Sequence, residues 1–252
     1  NFLVDRGAIS RIVAALAPEA VENILEIGPG RGALTEALLA IVPRISAIEL
    51  DRDLAAHLRS RHPEAQLRVI EADVLDVSLS DLAGAEPLVI AGNLPYNISK
   101  PVAMKLVLER RAVLRAVLMF QREVAARLTA AVGTGAYGPL TVLAGQAYRI
   151  DRLFDVAPGA FHPRPQVVST VTRWAPRGDD ALPESLIAPL KAVLRAAFAR
   201  RRQTLQKNVR AALSGDDVAA AALLAQAGLD GTLRAEAVPP EGFVVLARLW
   251  PA

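Results

Sequence analysis

The run Asn93-Leu94-Pro95-Tyr96, continued by Asn97-Ile98-Ser99, carries the most specific chemistry in this chain. An amine on an aromatic base is a poor nucleophile, because its lone pair is conjugated into the ring. A hydrogen-bond acceptor on each N–H draws that lone pair out. The Asn93 side-chain carbonyl suits one N–H and the Leu94 backbone carbonyl the other. Pro95 stiffens the turn and pushes Leu94 toward an extended conformation. Tyr96 offers a ring face for a base to stack on. No strong general base is required, since the amine loses its proton after it has attacked, and positioning supplies most of the rate. An N-x-P-Y turn capping a strand has the same spacing. A second aromatic, Phe161, opens Phe161-His162-Pro163-Arg164-Pro165, where the prolines exclude helix and imply an exposed, stiff loop. Phe161 would close the other face of a base stacked on Tyr96. Its spacing fits a core phenylalanine anchoring the loop equally well.

Upstream, Leu25-Glu26-Ile27-Gly28-Pro29-Gly30-Arg31-Gly32 follows a strand and opens a helix. Glycines here let the backbone turn sharply and approach a ligand. Dinucleotide folds use G-x-G-x-x-G; this loop is G-x-G-x-G with Glu26 just before it. The missing third-glycine spacing disfavours a nicotinamide dehydrogenase. The acid suits a cationic group, such as the amino or sulfonium of S-adenosylmethionine. The alternative is a plain tight turn. Glu49 ends the next strand, where a carboxylate accepts ribose hydroxyls. Asp73, past the third strand, would take a hydrogen bond from an adenine amino group. A lone strand-end acid is commonly just solvated. Three at successive strand C-termini mark a ligand crevice.

The elements that must position these residues follow from apolar periodicity. Strands are expected at 24–27, 45–50, 67–71, 88–91 and 116–120, and helices at 33–40, 53–61 and 101–110. Such alternation means a mostly parallel, Rossmann-like α/β sheet with helices on both faces. Runs at 148–156 and 167–174 suit an antiparallel pair at the sheet edge. Residues 175–183, rich in Pro, Gly and Asp, read as a linker. Helices are expected beyond it at 185–199, 203–213, 218–228 and 240–249, a small all-α domain. The expected division is 1–176, binding cofactor, and 177–252, binding RNA.

No acidic residue lies between Ser185 and Gly215, a stretch carrying Lys191, Arg195, Arg200, Arg201, Arg202, Lys207 and Arg210. That is an electrostatic footprint for phosphate, although a solvated helix face gives the same run. Phosphate contact would orient an RNA without reading its sequence, leaving base selection to the pocket near Asn93. The net charge of +3 adds only a mild hint of an anionic partner. With no cysteine and only three scattered histidines, no metal site is expected. No apolar run reaches the roughly 18 residues of a membrane span, and no signal peptide is visible, so a cytoplasmic location is expected. The chain opens on Asn1 without a methionine, and a preceding segment is expected.

On these residues the sequence resembles the KsgA (RsmA) family of ribosomal RNA adenine dimethyltransferases. The matches are Asn1-Phe2-Leu3, the 26–32 loop, Ile48-Glu49-Leu50-Asp51, the run from Asn93 to Ser99, Tyr137-Gly138, and the stretch from Phe161 to Ser169. The resemblance implies a class I methyltransferase fold with a helical C-terminal domain. It implies that Asn1, Leu3, Gly28, Glu49, Asp73 and Asn93 contact S-adenosylmethionine. The implied reaction places two methyl groups on N6 of each of two adjacent adenosines in a terminal hairpin loop of small-subunit rRNA. The implied substrate is an assembling subunit, and the implied enzyme is a monomer. Erm-type methylation of large-subunit rRNA shares fold, cofactor and chemistry and is the nearest alternative. A ribosome-assembly or transcription factor retaining the fold is another.

Overall fold

The computed structural model describes residues 1–95 and 97–251. In chain order the elements are β1 (Phe2–Leu3), α1 (Arg6–Leu16), β2 (Asn23–Ile27), α2 (Ala33–Leu39), β3 (Ile45–Glu49), α3 (Arg52–Arg61), β4 (Leu67–Glu71), α4 (Leu79–Ala83), β5 (Leu88–Asn93) and α5 (Ser99–Leu108). Then come β6 (Val113–Gln121), α6 (Arg122–Leu128), α7 (Pro139–Ala147), β7 (Tyr148–Val156), β8 (Phe161–His162), β9 (Ser169–Pro176), α8 (Ile187–Ala197), α9 (Leu205–Ala212), α10 (Asp217–Gln226) and α11 (Pro240–Leu249). They form two compact units, Asn1–Ala125 with Arg149–Pro176, and Ala126–Tyr148 with Arg177–Ala252.

The first unit is organised by a seven-stranded sheet of order β4-β3-β2-β5-β6-β9-β7. The strands from β4 to β6 pair in parallel, and β9 runs antiparallel to β6. Covered parallel strands read as continuous apolar runs rather than alternating ones. The first five residues of β5 and the last four of β2 are accordingly buried. The chain order reverses between β2 and β5, which leaves a crevice at their carboxyl ends. Ile27 pairs with Gly92, so Gly28 and Asn93 leave the sheet side by side. β7 and β9 are neighbours at the sheet edge as expected, but β8 between them leaves the sheet and pairs antiparallel with β1.

Helix α1 was not anticipated from the sequence. Ala8, Ile9, Ile12, Val13 and Leu16 form its buried stripe, and Asp5 caps it by accepting from the Ala8 N–H at 2.7 Å. Arg115 of β6 closes its other end. Its guanidinium donates to the carbonyls of Leu16 (2.8 Å) and Ala17 (2.7 Å) and pairs with Glu22 at 2.6 Å.

The second unit is helical. Leu190, Val193 and Leu194 of α8 are buried, as are Leu205 and Val209 of α9, Leu224 of α10 and Phe243 and Leu246 of α11. The units change over at 176–177, and residues 126–148, with α7, lie in the helical unit as well. The Tyr137 hydroxyl donates to the Val238 carbonyl at 2.9 Å, and its ring lies 6.2 Å from that of Phe198. Gly133 N–H donates to Glu236 O at 2.8 Å. These long-range bonds, not local pattern, assign residues 126–148 to the helical unit.

Candidate active site

A cavity of about 480 Å3 opens at the carboxyl ends of β2 and β5. Its wall includes Asn1, Leu3, Glu26, Gly28, Gly30, Glu49, Asn93, Leu94, Pro95 and Phe161. A smaller space of about 120 Å3 shares Gly28, Glu49, Pro95 and Asn97 with it and adds Leu50, Asp73 and Ile98. Every described residue expected to contact cofactor or base lines one of the two. The expectation for Tyr96 lies outside the described residues.

Gly28 (φ 67°) starts the loop, and a Cβ there would stand 3.7 Å from Pro95 Cδ and 3.8 Å from the Asn93 carbonyl oxygen. That side chain would fill the gap between the glycine loop and the Asn93 turn, which glycine leaves open. Helix α2 begins directly behind the loop, with Gly32 at its N-cap. The wall thus presents two carboxylates and an apolar lining. This set fits a ligand with a cationic amino-acid end, a ribose and a base.

Glu49 is buried at the end of β3. Its carboxylate accepts from the N–H of Gly30 and from that of Asp51, one on each oxygen, both at 3.0 Å. Each oxygen retains a further lone pair for a hydroxyl. Asp73 accepts from Leu75 N–H at 2.9 Å. Glu26 is 2% exposed, and Thr35 Oγ1, which no sequence pattern singled out, donates to it at 2.6 Å. Thr35 stands one turn into α2, a position that faces back toward the strand end. Burial pushes the Glu26 carboxyl from its ordinary 4.5 up to about 7; the Thr35 bond opposes the rise and the Glu49 charge adds to it.

A raised folded-state pKa means that Glu26 holds its proton more tightly folded than unfolded. Its relative stabilisation is complete below about pH 4.5 and is lost as pH rises through about 7. A cationic ligand group favours the ionised carboxylate, so affinity runs the opposite way. S-adenosylmethionine affinity should rise between about pH 6 and 8, by at most about tenfold per unit below the pKa, with proton release on binding. Calorimetry in buffers of different ionisation enthalpy measures both. Glu26→Gln should flatten the profile, and an unchanged profile would remove Glu26 from the cation site.

The turn after β5 is stiff. Leu94 N–H donates to Met119 O at 3.3 Å, and Pro95 O accepts from Ile98 N–H at 3.2 Å and from the buried Ser99 hydroxyl at 3.1 Å. Asn93 Nδ2 donates to the Asn1 carbonyl at 3.4 Å. Phe161 is not on an exposed loop. It lies in β8 opposite Leu3 and is 4% exposed, because Ala160 O accepts from both Val4 and Asp5 N–H and draws the segment against the chain start. Its ring belongs to the core and also lines the cavity.

The cationic stretch lies in the other unit, with a different arrangement from a uniform run. Arg200, Arg202, Lys207 and Arg210 are exposed. Arg201 is committed to the fold, donating to the carbonyls of Gly135 (3.0 Å) and Tyr137 (2.9 Å) and lying 3.7 Å from the Glu236 carboxylate. Buried Asn208 donates to Ala197 O at 2.7 Å and Arg200 O at 3.1 Å, which fixes the turn between α8 and α9. Nothing in the spacing singled out Asn208. Among the described residues no cluster of three or more acidic, histidine or cysteine side chains could hold a metal, and no helix is long and apolar enough to cross a membrane.

Fold and site together define an S-adenosylmethionine-dependent class I methyltransferase. The model of the family described as ribosomal RNA adenine dimethylase matches residues 1–247. The chain belongs to that family. It is 42% identical over 248 residues to the ribosomal RNA small subunit methyltransferase A of Acidithiobacillus ferrooxidans, covering 98% of this chain and 91% of the relative. A dimethyladenosine transferase from Plasmodium falciparum shares the fold, with a TM-score of 0.82 at 24% identity over 98% of this chain and 96% of that one. The 23S rRNA methyltransferase ErmE superposes with a TM-score of 0.70 at 28% identity over 99% of each chain.

Proposed function

We propose that the protein dimethylates N6 of two adjacent adenosines in a terminal hairpin loop of 16S rRNA in an assembling small subunit. The observation that carries this reading is the shared cavity, lined by Asn93, Leu94, Pro95 and Phe161 together with Glu26, Gly30 and Glu49. S-adenosylmethionine supplies an electrophilic methyl group on a sulfonium. Glu26 faces its cationic amino-acid end, Glu49 the ribose and Asp73 the adenine. Asn93 Oδ1 and the Leu94 carbonyl accept the two N–H bonds of the target amine, and the buried Phe161 ring walls the base. Asn1 and Leu3 close the cavity over the cofactor. The enzyme acts as a cytoplasmic monomer on this reading.

The decisive experiment offers labelled cofactor and undermethylated 30S particles, 50S particles or free 16S rRNA to the purified chain. The expected product is N6,N6-dimethyladenosine at adjacent positions in the 30S hairpin. Transfer to 50S particles alone would favour the Erm-type activity that the ErmE likeness keeps in view. Cofactor binding without transfer to any of them would leave a non-catalytic assembly role.

RNA docking on this reading uses the exposed cations of the α8–α9 turn and of α9. Replacing Arg200, Arg202, Lys207 and Arg210 with alanine should weaken 30S binding and lower the slope of log affinity against log salt by about 0.7–0.9 for each phosphate no longer neutralised. Arg201→Ala should instead lower the melting temperature, since it removes two bonds to the 135–137 backbone. An unchanged salt slope in the fourfold variant would return these cations to solvent.

A further inference from the structure

We infer that Phe2 and Arg31 are positioning residues that set the amide orientation of Asn93, an inference resting on the reading of Asn93 as an acceptor for the target amine. A side-chain amide has two orientations related by a half-turn, and only one presents its oxygen to an N–H donor. Here Asn93 Nδ2 donates to the Asn1 carbonyl at 3.4 Å, which leaves Oδ1 as the acceptor. The catalytic geometry therefore depends on where the Asn1 carbonyl is held.

Two ties hold it. The first is β1, a two-residue strand paired with β8, and a ribbon that short has little stability of its own. The second is the Phe2 ring, which lies so close to Gly30 that a Cβ there would sit 2.8 Å from Phe2 Cδ1. On the ring rests the Arg31 guanidinium, 4.8 Å from its centroid. Arg31 is exposed and lines the cavity, and among the described residues no carboxylate stands within 4.0 Å of it. Its contact is the aromatic face. Phe2 is thus clasped between the cofactor loop and a cation borne by that same loop. The glycine loop, the chain start and the catalytic amide form one mechanical unit, and the order of the loop is passed to Asn93 through Phe2.

The test is steady-state and single-turnover methylation of undermethylated 30S particles at saturating S-adenosylmethionine. Phe2→Ala should lower kcat about tenfold, from misplacement of a positioning contact. Arg31→Ala should lower it about two- to fivefold, as expected for loss of an exposed cation–π interaction. The KM for 30S should stay constant in both. Phe2→Tyr and Arg31→Lys, which keep the ring face and the cation, should restore most of the rate. In an Asn93→Ala background, Phe2→Ala should reduce the residual single-turnover rate no further. Several outcomes would overturn the inference. They are a rise in KM for 30S with kcat intact (an RNA-phosphate role for Arg31), a change confined to cofactor Kd, failure of the conservative variants to rescue, and additive losses in the Asn93→Ala background. Should Asn93→Ala itself retain full turnover, the reading of the site fails first, and this result is distinct from the others.

Discussion

Asn93→Ala should lower the single-turnover rate of methyl transfer by about 10²–10³-fold while leaving 30S affinity within about twofold. The first figure is typical for deleting one preorganised hydrogen-bonding group that acts on a developing charge. As N6 attacks, its lone pair leaves conjugation and its N–H bonds grow more acidic. An acceptor on such an N–H therefore binds the transition state more tightly than the ground state, and its loss falls on kcat. The Leu94 carbonyl survives the substitution, and so does the turn, since Leu94 N–H, Pro95 O and the Ser99 hydroxyl keep their partners. RNA affinity should persist because the cations proposed to bind phosphate belong to the helical unit. Asn93→Asp keeps an acceptor but loses the donor to Asn1 O, and should fall between wild type and Asn93→Ala. Rapid-quench methylation paired with filter binding separates the two effects. A proportional loss of 30S binding would mean that Asn93 holds RNA rather than activates it.

The parallel core of the first unit is legible in the sequence because its physics is local. Strands covered on both faces need near-continuous apolar runs: 88–91 supplies one, 24–27 is broken only by Glu26 at the site, and the edge run 67–71 keeps Leu67, Val69 and Ile70 around Arg68. The glycine loop is legible because its backbone must turn within a few residues. Helix α1 also carries a local signal, Asp5 at the cap and apolar residues at 8, 9, 12, 13 and 16, yet it lies outside the expected elements. Helix α4, at five residues, is too short for a period to show. Other features rest on contacts between distant segments, which no local pattern encodes. Tyr137 meets Val238, Arg201 reaches the backbone at Gly135, and Arg31 meets Phe2 only after the chain start pairs with β8. Phe161 shows the same limit. Its prolines do exclude helix and residues 162–164 are exposed, yet the bonds of Ala160 O to Val4 and Asp5 draw Phe161 itself into a buried strand position.

The second large effect concerns Glu49. Glu49→Ala should weaken S-adenosylmethionine binding by roughly 100-fold, about 2.7 kcal/mol, from hydrogen bonds to a charged group worth about 1.5–3 kcal/mol each. The loss has two sources. On the proposed reading the ribose hydroxyls lose their acceptors, and the Gly30 N–H loses the carboxylate that holds the glycine loop in place. Glu49→Gln is expected to be nearly as damaging. Both Glu49 oxygens already accept a backbone N–H, and an amide must turn its NH2 toward the N–H of Gly30 or of Asp51, donor against donor. S-adenosylhomocysteine, which has the ribose but lacks the sulfonium, should lose affinity to the same extent. The substitution should also reach Glu26. The Glu49 charge helps to keep that carboxyl protonated, so Glu49→Ala lets it ionise at lower pH. The pH at which cofactor affinity levels off should therefore move in the acid direction, even as affinity itself falls at every pH. Calorimetric titrations of both ligands from about pH 5.5 to 8.5 measure all of this. If Glu49→Ala weakened only S-adenosylmethionine and spared S-adenosylhomocysteine, Glu49 would be facing the sulfonium rather than the ribose.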